Sequence, residues 1–382
     1  MANTHASITA LFADIADAIR EKTGDTATIV ADDFPDVIRE RLQAAPPPPY
    51  LTFKSPNSFT LAVNDATKHW DGTLEYSTDT STWSTWDGTT TLSSATSGSE
   101  NVLYLRGTGN TVITGNSTNY KWVLTGSDIA CIGSIENLLD YATVASRKHP
   151  AMENYCYANM FYGCTSLTQA PALPATTLVD HCYNSMFRGC TGLTQAPALP
   201  TTTLAYHCYN SMFYGCTSLT QAPALPATTL TNSCYSSMFY NCKALTQAPA
   251  LPTTTLADYC YNSMFRGCTG LTQAPALPAT TLTNSCYSSM FRGCTSLTQA
   301  PALPATTLTN SCYSNMFRDC TSLKLSSSKA GEYTQEYRIP TTGTGTTASN
   351  ALSNMFANTV GTFTGTPEIN TTYYLSNTNT IV

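Results

Sequence analysis

Charge is scarce in this chain. Asp, Glu, Lys and Arg make up 11% of its 382 residues, with 18 bases against 24 acids for a net charge of −6. There is no basic stripe and no interleaving of aromatic with basic residues, so nucleic acid is not an expected partner. No run of about 18 apolar residues occurs, which leaves no transmembrane helix to assign and no membrane insertion to expect. The first residues, MANTHASITALFADIADAIREKTG, lack a basic start, a continuous apolar stretch and a small-residue cleavage site. They read as working structure and not as a signal peptide. Also missing are G-x-S-x-G, HExxH, the P-loop and the dinucleotide fingerprint. The cysteines include no C-x2-C pair of the kind that holds zinc. No enzyme, cofactor or metal is expected.

What is present is repetition. Between Cys156 and Leu323 nearly the same 26 residues occur seven times, one copy reading CYNSMFRGCTGLTQAPALPTTTLAYH from Cys182 to His207. The Met–Phe pair recurs at Met160, Met186, Met212, Met238, Met264, Met290 and Met316. A fixed period of this length signals stacked units, each burying its apolar side against the next. Within a unit, Cys182 to Arg188 reads as a short helix with Cys182, Met186 and Cys190 on one face. Asp180, like Asn232, Asp258 and Asn284, is placed to cap it. Gly189 takes the left-handed C′ position, where Asn241 and Asp319 stand in two other copies. The following LTQAPALP has the form L-x-x-A-x-A, close to a leucine-rich-repeat strand. Leu193, Ala196 and Ala198 are expected inward, and Thr194, Gln195, Pro197 and Leu199 outward. Fourteen of the fifteen cysteines lie in the copies as C-x7-C. On a helix these pairs are too far apart to bridge, so a reduced, buried ladder of small side chains is expected.

The rest divides by pattern. Residues 1–45 read as two short amphipathic helices for anchoring and oligomerisation, because so small a pair cannot bury its stripe alone. Residues 46–49 are a proline spacer. Residues 50–132 carry six or seven strand-like runs, Leu51–Lys54, Ser58–Val63, Leu74–Ser77, Thr82–Trp86, Val102–Arg106 and Tyr120–Thr125 among them, and suggest a small antiparallel β-sandwich. Residues 133–155 connect, with Leu138, Leu139 and Tyr141 covering the first open edge of the repeats, and 156–323 form the seven-copy array. Residues 324–382 are an insertion and a C-terminal cap, with one decayed copy at Ala351–Phe356. The expected class is multidomain: a short helical segment, a β-sandwich, then a leucine-rich-repeat-type α/β solenoid of short parallel strands and short helices.

The pattern C-Y-x-x-M-F-x-G-C-x-x-L-T-x-A-P-x-L-P resembles the 26-residue bacterial surface leucine-rich repeats called BspA-like. LEYSTDTSTWSTWDG (Leu74–Gly88) and NYKWVLTG (Asn119–Gly126) look like a module that precedes such repeats in gut Bacteroidetes proteins and their phages. Residues 7–42 resemble the N-terminal segment of phage tail and minor structural proteins. That resemblance implies a virion protein made in the host cytoplasm, which suits reduced thiols.

Two rows of residues vary or project on the constant frame. One is the slot after the conserved Phe: Tyr162, Arg188, Tyr214, Tyr240, Arg266, Arg292 and Arg318. Tyr and Arg are frequent recognition residues, although drift on a solvent-facing ridge gives the same pattern. The other is the strand face with Gln169, Gln195, Gln221, Gln247, Gln273 and Gln299, evenly spaced amides that suit a repeating polysaccharide. His181 and His207 fall in one slot of adjacent copies and would stack on the surface. Asp65, Asp71, Glu75 and Asp79 offer no recognisable catalytic spacing. Trp70, Trp83, Trp86 and Trp122 belong to the core or to a sugar platform. The sequence thus points to a phage virion adhesin, a tail fibre or receptor-binding protein. Its partners would be itself (a trimer by analogy with phage fibres), other virion proteins through residues 1–45, and a host glycan or outer-membrane protein. A bacterial cell-surface adhesion protein and a purely structural virion decoration protein are the alternatives.

Overall fold

The computed structural model describes residues 48–339 and 348–382. The helices expected in residues 1–45 lie outside them, as do Pro46 and Pro47 of the spacer. Tyr50–Val382 forms one unit by its internal contacts. Among the described residues the structure is mostly strand and turn, with a single helix.

The first part holds β1 (Leu51–Ser55), β2 (Thr60–Val63), β3 (Thr73–Ser77), β4 (Ser84–Trp86), β5 (Leu92–Ser93), β6 (Ala95–Ser97), β7 (Glu100–Thr108), β8 (Trp122–Thr125) and β9 (Ile129–Ile132). The helix α1 (Asn137–Ala145) follows, and β10 (Leu167–Gln169) lies in the first copy of the repeat. The large sheet has the order β10-β9-β1-β7-β3-β4, with β6 also on β7; a second sheet runs β5-β2-β8. Each strand-like run expected from the sequence holds a strand. Their alternating apolar residues meet between the sheets: Trp122 of β8 packs on Trp86 of β4 at 5.6 Å and on Phe53 of β1 at 6.3 Å. Trp70, Trp86 and Trp122 are all buried.

This β region also closes the first end of the array. Ile113 and Thr114 donate their N–H groups to the Cys156 carbonyl, Trp122 donates to Met160, and Ile129 to Ser166. The Cys164 thiol donates to the Trp122 carbonyl at 3.3 Å. Strand β10 joins β9 in parallel, so the large sheet runs into the first copy. Leu138 and Leu139 of α1 are fully buried.

The short helix expected in each copy does not form. Residues such as Cys182–Arg188 instead make a chain of turns four residues long. Every fourth residue is left-handed: His181, Ser185 and Gly189 have φ of 59°, 54° and 75°. Asn241 and Asp319, in the Gly189 slot, have φ of 59° and 64°. The left-handed assignment of that slot therefore stands, while its role as a helix terminus does not. The backbone partners explain the difference. Asn184, Met186 and Arg188 donate to the carbonyl three residues back, within their own copy. His181, Tyr183, Ser185, Phe187 and Gly189 donate instead to Tyr206, Cys208, Asn210, Met212 and Tyr214 of the next copy. A helix spends its N–H groups internally; here every second one is spent across the junction, at 2.7–3.2 Å. The proposed caps change role accordingly. Asp180 Oδ1 accepts from the Tyr206 N–H at 3.0 Å, and Asp258 Oδ1 from the Asn284 N–H at 2.9 Å.

Side chains repeat in columns inside this frame. Tyr183 stacks on Tyr209 at 5.8 Å and Phe187 on Phe213 at 5.7 Å, with planes 7° and 5° apart, and both columns continue through the array. All fifteen cysteines are free and buried. They are not only filler. The second thiol of each copy donates to the Phe carbonyl of the copy before: Cys190 to Phe161 at 3.0 Å, Cys216 to Phe187 at 3.1 Å, and so on to Cys320 and Phe291 at 3.0 Å.

The strand segment also differs from expectation. Leu193 and Leu199 are buried, Ala196 is half-buried, and Ala198 is exposed. Inward positions thus recur every three residues, the period of a polyproline II segment. The prolines, which lack an N–H, suppress a period-two ladder. Only isolated parallel bridges remain, such as Gln195 on Gln221 and Thr203 on Thr229.

The array ends on a built cap of β11 (Gln299–Ala300), β12 (Lys324–Ser326), β13 (Tyr333–Arg338), β14 (Val360–Gly361), β15 (Thr372–Ser376) and β16 (Thr380–Ile381). The decayed copy keeps the register: Tyr313, Asn315 and Phe317 donate to Ala351, Ser353 and Met355, and Phe317 stacks on Phe356 at 5.5 Å. Strand β16 folds back in parallel beside β11, while the seventh copy's own strand, β12, pairs with β14 and β15 instead. Asn379 pins this return, donating to the Thr298 and Ser322 carbonyls and accepting from the Lys324 N–H.

Burial pushes the thiols up, to about 12 at Cys216 and Cys268. In native protein near pH 8 an aromatic disulfide reagent should therefore find essentially no reactive thiol, and all fifteen once denaturant is added. Rapid reaction of several thiols without denaturant would contradict the buried ladder. Ser237 has φ of 56°, and Asn occupies its slot at Asn159 and Asn315. Ser237→Val should cost about 1–2 kcal/mol, since a β-branched side chain resists the left-handed region, and Ser237→Asn close to nothing. Thermal midpoints of the two variants compare them directly.

Candidate functional site

The two candidate rows have different environments. In the row after Phe every side chain is half-buried, and the row is interlocked. The Arg188 guanidinium lies 4.1 Å from the Tyr214 ring centre and 5.6 Å from that of Tyr162, and the Lys121 ammonium lies 5.0 Å from the Tyr162 ring centre. Tyr214 stacks on Tyr240 at 4.3 Å, and Arg266 sits over Tyr240 at 5.1 Å. Arg292 Nε pairs with Asp319 at 3.3 Å, and Arg318 donates to Asn315 Oδ1 at 3.4 Å. Cation–π contacts of this kind contribute roughly 0.5–2 kcal/mol each. The row is a ridge whose recognition groups already have partners within the chain.

The glutamine row is open. Gln169, Gln195, Gln221, Gln247 and Gln273 are exposed, and Gln299 is half-buried beside β16. Main-chain bridges join 169 to 195, 195 to 221, 247 to 273 and 273 to 299. These fix the backbone and leave the amides outward, flanked by exposed Thr194, Thr220, Thr246, Thr272 and Thr298. The ring columns of the array advance 5.5–5.9 Å per copy, and the bridged stretches of the row present donors and acceptors copy by copy.

His181 and His207 do stack, at 4.8 Å, and each is half-buried within an aromatic group whose outer member, Tyr206, is exposed. Tyr155 lies on His181 at 4.4 Å, and Tyr206 meets both imidazoles edge-on. Burial lowers the pKa of both imidazoles. The charge of His181 adds to the effect at His207, and Asp180 opposes it at both.

The carboxylates of the β region are held apart by separate local tasks. Asp65 is paired with His69 at 2.7 Å, Asp71 accepts from Thr111 and Val112, and Glu75 pairs with Arg106 at 2.8 Å. Asp79 accepts the Thr82 and Ser81 N–H groups, which lower its carboxyl to about 2. Trp83 is half-buried, with the Arg106 guanidinium over its ring at 4.1 Å. Glu136 escaped notice in the sequence. It is buried against His149 at 2.9 Å, and burial raises its carboxyl despite the imidazole.

Residues 147–272 and 184–324 match the family model of a BspA type leucine-rich repeat region, six copies in all. The repeat part of the chain is therefore similar to that family, and repeats of this type are typical of surface adhesion proteins. No curated protein and no solved structure matches the chain. Among the described residues no helix is long and apolar enough to cross a membrane.

The histidine pair has a pH signature. Folding lowers both imidazole pKa values, so the unfolded chain binds these protons more readily. Stability is then complete above the ordinary value of about 6.5 and falls as the pH drops below it. The denaturation midpoint should decline between about pH 7 and pH 5. That decline should flatten in a chain carrying His181→Tyr and His207→Ser, residues that other copies hold in the same slot. Superimposable pH curves for the two chains would contradict this assignment.

Proposed function

We propose that the chain is an adhesin whose repeats form a continuous solenoid displaying the glutamine row to a polysaccharide on a host cell surface. One observation carries this reading: the amides of Gln169, Gln195, Gln221, Gln247 and Gln273 are exposed and aligned, while the Tyr/Arg ridge is occupied by its own contacts. A repeating polymer meets a repeating surface several units at a time, and weak contacts sum through multivalency. The two packed β-sheets act as a sandwich-type spacer, and residues 1–45 as the anchoring and self-associating segment. The resemblance of residues 7–42 to phage tail proteins supports a virion as the carrier. The repeat match supports the second reading, a bacterial cell surface as the carrier. The role is binding and not turnover.

Adsorption of the full chain to bacteria with intact or periodate-stripped surface glycans tests the reading. Binding should drop with stripping. It should also fall roughly tenfold or more when Gln195, Gln221, Gln247 and Gln273 are all changed to Ala, and change little with Arg188→Gln plus Arg266→Gln. Adsorption that survives stripping and is lost on protease treatment of the cells would replace the glycan with a protein receptor.

A further inference from the structure

The glutamine row is not uniform. Bridges hold the first copy to the second, the second to the third, the fourth to the fifth and the fifth to the sixth, but none joins Gln221 to Gln247. The threonine beside each glutamine follows this only in part. Thr220 donates its N–H to Thr194, Thr272 to Thr246 and Thr298 to Thr272, and no such bond links Thr246 to Thr220. The bond is also missing between Thr194 and Thr168, where the glutamines are bridged. Between the third and fourth copies the glutamine segment is unbridged, although Thr229 and Thr255 still bridge further along, and a groove of about 420 Å³ lies there, lined by Thr220, Gln221, Thr246 and Gln247. At Ala222 and Pro249 it runs into a second hollow of about 230 Å³ walled by alanine, proline and Leu225. Bonds close both ends: Ala244 to Thr217 at 3.2 Å before it, and Thr253 Oγ1 to Thr228 at 2.8 Å beyond it.

We propose that this groove is the principal saccharide subsite of the array, taking one or two units of a neutral glycan. The proposal rests on the adhesin reading above and narrows it to one junction and one ligand class. The chemistry of the lining makes the selection. Two amides and two hydroxyls supply donors and acceptors for sugar hydroxyls. The alanine–proline wall covers the apolar face of a ring. None of the lining residues is charged, so an acidic polymer has nothing to pair with there. A β-strand from another chain does not fit, because insertion requires about twice the usual strand spacing of roughly 4.8 Å. The far side of this junction is closed, with Tyr209 on Tyr235 at 5.8 Å and Phe213 donating to Met238 at 2.9 Å. A polyproline peptide is not expected either, because the groove has none of the aromatic walls by which such ligands are gripped.

The test titrates the full chain with six-unit oligosaccharides of glucose, mannose, galactose and N-acetylglucosamine, with heparin as the acidic counter-probe. Gln221→Ala and Gln247→Ala should each weaken binding of the best neutral probe about tenfold, and Gln195→Ala and Gln273→Ala less than about twofold. Ala248→Leu, which fills the groove, should act like the first pair, and continued protection of all fifteen thiols would show that its stack is intact. Equal effects at all four glutamines would overturn the proposal and leave the adhesin reading standing. A wild-type chain that binds none of the neutral probes, or heparin better than all of them, would overturn both.

Discussion

Every copy of this repeat divides its backbone N–H groups between itself and its neighbour, and the rest of the structure follows from that division. Alternate residues donate back three positions and so close turns; the residues between donate forward to the next copy. The arrangement works only if the chain changes hand every four residues, which is why His181, Ser185 and Gly189 and their equivalents are left-handed. For any residue but glycine that conformation carries a cost, offset here by five junction bonds per copy and by columns of rings that touch on both faces. A copy alone would keep the cost and lose the compensation, so the unit that folds is the stack with its two ends.

Those ends are made differently. At the first, Ile113 and Trp122 supply to Cys156 and Met160 the N–H groups that an earlier copy would have supplied, and Trp122 meets Phe161 edge-on. At the other, the decayed copy holds register despite an insertion, because Met316 and Met355 differ by one period plus thirteen residues while the partners of Tyr313, Asn315 and Phe317 stay equivalent. The chain then doubles back so that β16 completes the glutamine ladder beside Gln299. Capping of this kind turns an open repeat into a finite object.

How far the sequence revealed this depends on which signal each feature leaves. The period was legible at once from the Met–Phe pair, and the left-handed slot was legible from Gly189, Asn241 and Asp319. The helix was a misreading with an identifiable cause. Cys182, Met186 and Cys190 recur every four residues, close enough to 3.6 to imitate a helical face, and Asp180 stood where a cap would stand. The contrary signal was the invariant choice of Ser or Asn at Ser185, Ser211, Asn159 and Asn315, small polar residues that tolerate the left-handed region. The inward turn of Leu199 was hidden because proline changed the period of the segment from two to three. The thiol-to-carbonyl bonds were hidden because they depend on where a neighbouring copy places its Phe carbonyl.

The unbridged junction lay furthest from the sequence, and for a physical reason. Its two edges, Thr220–Pro226 and Thr246–Pro252, are the same seven residues, so nothing within the strand distinguishes this junction from its neighbours. What is particular to it lies across the layer. Tyr214 and Tyr240 are the one adjacent pair of tyrosines in a row otherwise mixed with arginine, and they close to 4.3 Å. Asn241 takes the glycine slot beside them, and Lys243-Ala244 replaces the Thr-Ser or Thr-Gly of the other copies. The ring columns between ridge and strand edge keep their pitch at this junction, with Tyr209 on Tyr235 at 5.8 Å and Phe213 on Phe239 at 5.7 Å, so the close-packed interior is undisturbed and the difference is confined to the surface. Identical strand residues can thus border junctions that differ in their bridging, and a periodic sequence does not oblige every junction of the array to be the same.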